Sequence, residues 1–246
     1  MALSHQSNQQ QAADPVYRKL HRIFFALCLL LAPLAVSSWF GLCPEYGNPA
    51  CPVGTGATLA AFRTDNPFLL QLFFVMAFIS VYLYPLSYIG LGRLAMKRSP
   101  WFSSVGIALG FVGSVVWSLL MGESFWINAA THLNINAQFF LLGKTYVANW
   151  GVYAMHAGWV IGHLLGYVLL GIALLRARVI PRWAAWLLIL SPLLMGPLAY
   201  GTGLGLLQVL GYVLVFIGSV PAAIALLRRR DVSVLKPPGV EAAPTT

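Results

Sequence analysis

Charged residues are scarce in this chain, and acidic residues are the scarcest. Only 9% of its 246 residues are charged, and Asp and Glu together number 6 against 15 Lys and Arg. Soluble globular domains carry about 25% charged residues. A water-soluble fold of this length could not cover a chain that is 59% hydrophobic, so the shortage of charge predicts an integral membrane protein. The net charge of +9 would suggest nucleic acid as the partner of a soluble protein. Here the basic residues stand beside apolar runs, which is typical of membrane orientation and not of a nucleic-acid partner.

Six long runs contain no Lys or Arg. They cover residues 23–42, 68–92, 101–122, 150–175, 183–200 and 203–227. Each is close to the length of about 20 helical residues that crosses a hydrocarbon core of about 30 Å. The runs are continuously apolar, whereas the strands of a membrane barrel alternate in polarity. The sequence therefore predicts an all-α bundle of six transmembrane helices over residues 21–230, with disordered tails at 1–20 and 231–246. A cleaved signal peptide is the alternative for the first run, but a polar leader of about 20 residues is long for one.

The basic residues predict the orientation of the bundle. With both termini inside, every Lys and Arg except Arg63 and Lys144 falls in a cytoplasmic segment, as the positive-inside rule requires. We therefore expect a multi-pass protein of the cytoplasmic membrane, whose first partner is the lipid bilayer.

Two outer segments are long. Residues 43–67 contain Cys43 and Cys51, for which a disulfide in an oxidising compartment is favoured over two free thiols. Residues 123–149 mix polar and apolar side chains, as a short interfacial or re-entrant helix does, although a plain surface loop fits nearly as well. Cys28, inside the first run, is interpreted as a small apolar residue.

Small residues recur at four-residue spacing in two of the runs, and such stripes let membrane helices approach closely. The third run carries Gly106, Gly110, Ser114 and Ser118, and the fourth carries Gly158, Gly162 and Gly166. We expect these stripes to pack on each other, on a second copy of the chain or on another membrane protein. Chance is the alternative in a chain with 23 Gly. Five prolines inside the runs predict kinks: Pro33, Pro85, Pro192, Pro197 and Pro221.

The fourth run also carries a polar stripe. Asn149, His156, His163 and Tyr167 fall on one side of a helix at 100° per residue. His163 would lie near the middle of the membrane, where an ionisable residue is costly and suggests a function. Its alternative role is structural, as a neutral imidazole that hydrogen-bonds neighbouring helices together.

Other runs contain polar residues that could share a pocket with this stripe, opening toward the outer side. They are Gln71, Tyr84, Ser87, Tyr88, Glu123, Gln208 and Tyr212. The candidate ligand-binding set is Asn149, His156, His163, Tyr167, Glu123, Tyr84, Tyr88 and Gln208.

Several kinds of chemistry lack the residues they need. His156 and His163 are about 10 Å apart on a helix and cannot share one metal, so no metal or other cofactor is predicted. Haem bound through either histidine is a minor alternative. The runs contain no Lys for a Schiff base, and the sequence has no zinc-protease HExxH motif. An enzyme is therefore the less favoured reading.

The turn between the fourth and fifth runs reads Ile180, Pro181, Arg182 and Trp183. It resembles the turn of bacterial six-span membrane families of unknown function, including the DUF4386 type, and the order of spans is similar. The resemblance implies a six-span fold and carries over no functional residue. The favoured function is the binding or movement of a small, apolar or weakly polar ligand in an intrabundle pocket. The alternatives are an accessory subunit that docks another membrane protein and, third, a haem- or metal-dependent oxidoreductase.

Overall fold

A computed structural model of the protein describes residues 15–42, 66–132 and 150–228. These residues form six helices that are long and apolar enough to cross a membrane, and they contain no strand. The helices are α1 Pro15–Gly41, α2 Pro67–Ala95, α3 Pro100–His132, α4 Trp150–Ala177, α5 Arg182–Thr202 and α6 Leu206–Arg228. The predicted all-α bundle of six membrane-spanning helices is confirmed.

Helix ends follow the local sequence. Pro67 and Pro100 begin α2 and α3, where the missing N–H and fixed φ of proline are suited to a helix start. Arg178 (φ 53°) follows α4 and Gly203 (φ 72°) follows α5. This left-handed conformation ends a helix. The resulting connections are short, so α2 and α3, α4 and α5, and α5 and α6 are antiparallel neighbours.

The six helices form a closed ring. Each packs on the helices before and after it in the chain, α6 returns to α1, and α2 also contacts α4 across the middle. Because consecutive helices are antiparallel, α2, α4 and α6 run in the same direction. All described Lys and Arg residues therefore lie at one end of the bundle, which we call the basic end. There Arg98 donates a hydrogen bond of 2.8 Å to the carbonyl of Ala177.

Backbone contact joins α3 to α4. A Cβ atom added at Gly162 would stand 2.8 Å from the carbonyl oxygen of Leu109 and 2.9 Å from the nitrogen of Gly113. The other stripe residues are placed as follows: Gly106 faces Leu170, Gly110 faces Tyr88 and Gly166, Gly158 has only Val116 within 4 Å, and Ser114 and Ser118 donate to the carbonyls of Gly110 and Ser114. The two stripes thus lie against each other within one chain.

The outer surface of the ring is apolar. Phe78, Tyr82, Ile161 and Leu190 are all exposed, as expected for side chains that contact lipid. This surface and the six helices make the chain a multi-pass membrane protein.

The structure differs from the sequence prediction in two elements. Helix α3 continues to His132, so residues 123–132 extend the third helix instead of starting a separate interfacial segment. Helix α5 is α-helical over Arg182–Leu193, forms a π-helical turn over Leu194–Leu198, and ends with Ala199–Thr202. Pro192 and Pro197 lie at this turn, whereas Pro33, Pro85 and Pro221 lie inside continuous helices.

Some predictions fall on residues that the structure does not describe. These are the disulfide between Cys43 and Cys51, residues 133–149 including Asn149, residues 1–14 of the first tail and the whole of the second tail. Residues 15–20 of the first tail belong to α1, so the prediction that they are disordered is wrong. Cys28 is described, and it is buried with a free thiol.

Candidate functional site

His163 lies at the middle of α4. At a rise of 1.5 Å per residue it is about 20 Å along the helix from both Trp150 and Arg176. Its side chain is 3% exposed. The Tyr88 hydroxyl from α2 lies 2.6 Å from Nδ1, and the Tyr212 hydroxyl from α6 lies 3.1 Å from Nε2. One imidazole therefore links the three parallel helices of the ring.

The imidazole determines which of its two partners donates a hydrogen bond and which accepts one. A neutral imidazole donates through one nitrogen and accepts through the other, so one tyrosine donates to His163 and the other accepts from it. The accepting tyrosine keeps its own O–H for a further partner. Ser87 donates its hydroxyl proton to the carbonyl of Tyr84 at 2.7 Å, and its oxygen can still accept a hydrogen bond.

Aromatic rings surround the imidazole. The ring centroids of Tyr84 and Tyr167 lie 5.0 and 5.3 Å from that of His163. Trp159 stacks on the imidazole at 5.6 Å with an interplanar angle of 24°, and Trp117 stacks on Trp159 at 4.8 Å and 21°. Flat faces therefore form one wall beside the polar link.

A small cavity opens beside His163. Its volume is about 10 Å³, and it is lined by Val36, Tyr84, Ser114, Trp117, Trp159, His163 and Tyr212. That space holds about one water molecule. Five of the six helices contribute to the lining, so the cavity depends on assembly of the whole ring.

Two buried donors near the cavity lack a hydrogen bond. The Tyr84 hydroxyl, on a side chain that is 2% exposed, lies near Tyr167 but makes no hydrogen bond of good geometry. Trp39 Nε1 also has no partner, and its ring contacts that of Trp117 at 4.8 Å. An unsatisfied buried donor costs about 1–3 kcal/mol, so a buried donor of this kind calls for an explanation.

A repeated motif places the polar residues. Pairs spaced by four residues occur on α2 (Tyr84 and Tyr88), α4 (His163 and Tyr167) and α6 (Gln208 and Tyr212), and the sequence Leu-Gly-Tyr-Val-Leu stands at both 165–169 and 210–214. Residues four apart share a helix face. All six side chains are buried. Because the three helices are parallel, the same motif brings the pairs to one depth of the bundle.

The repeat is also the sequence signal for Tyr212, which the candidate set omits. Trp117 and Trp159 have no such signal, since nothing in the sequence separates them from the exposed tryptophans Trp183 and Trp186. Val36 on α1 has no sequence signal either. These residues become part of the site only through the packing of the ring.

The remaining candidates lie elsewhere or are not described. Gln208 is buried one turn before Tyr212, where its side chain lies near that of Tyr200. Gln71 is exposed on α2 and so does not line the cavity. The backbones of Glu123 and His156 belong to α3 and α4, but their side chains are outside the described part of the structure.

The described residues offer little to a metal. They contain no group of three or more His, Cys, Asp and Glu side chains that could hold an ion. Both nitrogens of His163 are engaged by tyrosines, so an axial bond to haem would first require Tyr88 or Tyr212 to withdraw.

The fold and this site define a multi-pass membrane protein with a polar and aromatic core at mid-depth. No family model, curated protein or solved structure matches the chain. The relationship to the six-span families of the DUF4386 type therefore stays a prediction.

Proposed function

We propose that this protein binds a small, neutral, largely apolar molecule at the cavity beside His163. The observation that carries the proposal is the unsatisfied Tyr84 hydroxyl, which lines a cavity next to an imidazole in the middle of the bundle. Polar groups at this depth are costly and are retained where they serve a function. A ligand that brings an oxygen or nitrogen to the cavity would satisfy this donor.

A purely structural role for the polar residues around His163 explains fewer of these features than ligand binding does. The link from Tyr88 through His163 to Tyr212 would be sufficient to hold α2, α4 and α6 together. Tyr84 adds nothing to that link that phenylalanine would not supply. Its hydroxyl and the adjoining space are explained by an occupant.

Binding is favoured over the other roles. Transport would need a route to both faces of the membrane, and nothing in the described residues supports one. Docking of another membrane protein was expected through the Gly stripes, but Gly106, Gly110, Gly162 and Gly166 already face residues of the same chain. We also propose that the basic end faces the cytoplasm of a bacterial cell, because the described basic residues all lie there.

The test is to purify the protein gently from its own membrane and to identify retained small molecules by native mass spectrometry and solvent extraction. His163→Phe keeps a ring of similar size but removes both nitrogens. We expect wild type to retain a neutral molecule at near one per chain and His163→Phe to retain less than a tenth as much.

Ile161→Val is the matched control, because Ile161 lies two residues away on α4 and is 54% exposed. It should retain the molecule as wild type does. Equal retention by wild type and His163→Phe, or none by wild type, would rule out binding at this cavity.

A further inference from the structure

We infer that the ligand of this site is a planar carbonyl compound of the quinone class, whose oxygen accepts a hydrogen bond from Tyr84. The inference rests on the proposed binding at the cavity and narrows it to a chemical class. It follows from three features of the site: an unsatisfied donor, the lack of charge, and flat walls.

One hydrogen-bond donor at the cavity lacks an acceptor. Tyr84 and Tyr212 both line the space. The Tyr84 O–H has no partner, and the Tyr212 O–H is also free when Nε2 of His163 donates to it. Ser114 donates its own proton to the carbonyl of Gly110 at 2.8 Å, so it contributes only an acceptor to the cavity. A carbonyl oxygen accepts from Tyr84 and, unlike an alcohol or an amine, brings no further proton into the cavity, so a carbonyl is the simplest complementary group.

The site provides nothing to balance a charge. All seven lining residues are uncharged side chains, and the described arginines and lysines lie at the basic end, about 20 Å from His163 along α4. Bringing an ion to this depth without a partner is strongly unfavourable. A neutral ligand that dissolves in the bilayer can reach the middle of the bundle without this cost.

The walls of the cavity match a flat ring. Trp117, Trp159 and His163 form a continuous stack with interplanar angles of 21° and 24°, and planar rings prefer offset stacking on such faces. The present space of about 10 Å³ is the size of one oxygen-bearing group. The oxygen occupies that space, and the ring of the ligand enters by separating the wall at Trp117 and Trp159.

The experiment uses the full chain in lipid nanodiscs and two probes of the same shape. One is a benzoquinone with a ten-carbon tail, and the other is the matching alkylbenzene without carbonyl groups. Binding is measured by equilibrium dialysis of the unbound probe. We expect saturable binding of the quinone and affinity for the alkylbenzene at least tenfold lower. In Tyr84→Phe the quinone should bind about tenfold more weakly, as expected for the loss of one hydrogen bond.

Tyr82→Phe is the matched control, since Tyr82 lies on the same helix and is 59% exposed; its quinone affinity should equal that of wild type. Equal affinities for the two probes, or for wild type and Tyr84→Phe, would overturn the quinone class. If quinone fails to bind while native preparations retain another molecule that depends on His163, the class is wrong and the proposed function survives. If neither quinone nor any retained molecule is found, both fail.

Discussion

Two tyrosines one turn apart on α2 have opposite relations to the protein around them. Tyr88 donates to or accepts from His163 at 2.6 Å, whereas the Tyr84 hydroxyl has no hydrogen-bond partner. Removing one partner of a buried hydrogen bond leaves the other unsatisfied and costs about 1–3 kcal/mol. Removing a hydroxyl that is already unsatisfied relieves a cost of the same kind.

We therefore predict that Tyr88→Phe lowers the free energy of unfolding by about 1–3 kcal/mol, while Tyr84→Phe raises it by about 1 kcal/mol in ligand-free protein. Unfolding by sodium dodecyl sulfate in mixed micelles, followed by circular dichroism, measures both. Tyr82→Phe, on the lipid-facing side of the helix, should change stability by less than about 0.5 kcal/mol. Equal destabilisation by Tyr84→Phe and Tyr88→Phe would mean that both hydroxyls are satisfied and that the cavity has no unmet donor.

At this scale the sequence predicts the centre of the site better than its walls. His163 can be recognised because an imidazole inside an apolar run is unusual, and its depth follows from its position in the run. The sequence names Tyr88 and Tyr212 only among several polar residues that could share its pocket, and it is the ring of helices that selects these two of the ten tyrosines as its hydrogen-bond partners. Gln71 is a polar residue in an apolar run as well, yet it is exposed.

Among the elements, α3 and α4 approach closely enough for direct backbone contact. Their contact at Gly162 is backbone against backbone, so a methyl group there meets the carbonyl of Leu109 and the nitrogen of Gly113. Neither atom can move aside as the end of a flexible side chain would. The contact also supports His163, which follows Gly162 directly and whose nitrogen lies against Gly113.

Gly162→Ala should accordingly force the two helices apart and lower the free energy of unfolding by about 1–3 kcal/mol. The control is Gly122→Ala on α3, where a Cβ atom would meet nothing within 4 Å. Alanine is the better helix former by about 1 kcal/mol, so this variant should be neutral or slightly stabilised in the same unfolding assay. Gly162→Ala with wild-type stability would show that α3 and α4 do not pack at this distance.

The elements were predictable in number but less so at their ends. Length and hydropathy identify a span, and Pro67, Pro100 and Gly203 mark helix boundaries. The polar residues from Glu123 onward interrupt the apolar run, so the sequence predicts a separate interfacial helix or a loop there, whereas α3 continues without a break to His132. The π-helical turn at Leu194–Leu198 has only a proline signal, and three other prolines in the chain leave their helices continuous.

The whole molecule is a ring of antiparallel helices with its described charge at one end. Moving several basic residues across a bilayer is unfavourable, and clusters of Lys and Arg are retained on the cytoplasmic side. The order of the helices fixes the rest: if the basic end is cytoplasmic, the end of α6 at Arg228 and the start of α1 at Pro15 are cytoplasmic as well. His163 is then reached from the bilayer or from the opposite side.

We predict that a green fluorescent protein fused after residue 230 fluoresces in a bacterial host, and that alkaline phosphatase fused at the same point is inactive, because the first requires the cytoplasm and the second the periplasm. Fusions at residue 204, in the connection between α5 and α6, should give the reverse result. An active phosphatase at residue 230 would show that the topology is the inverse of the one proposed.

Replacing Arg176, Arg178 and Arg182 together by Gln should weaken the preference for one orientation and give mixed signals from these fusions, since these three residues supply the charge of the connection between α4 and α5. An unchanged pattern in that variant would show that the remaining basic clusters are sufficient to set the orientation.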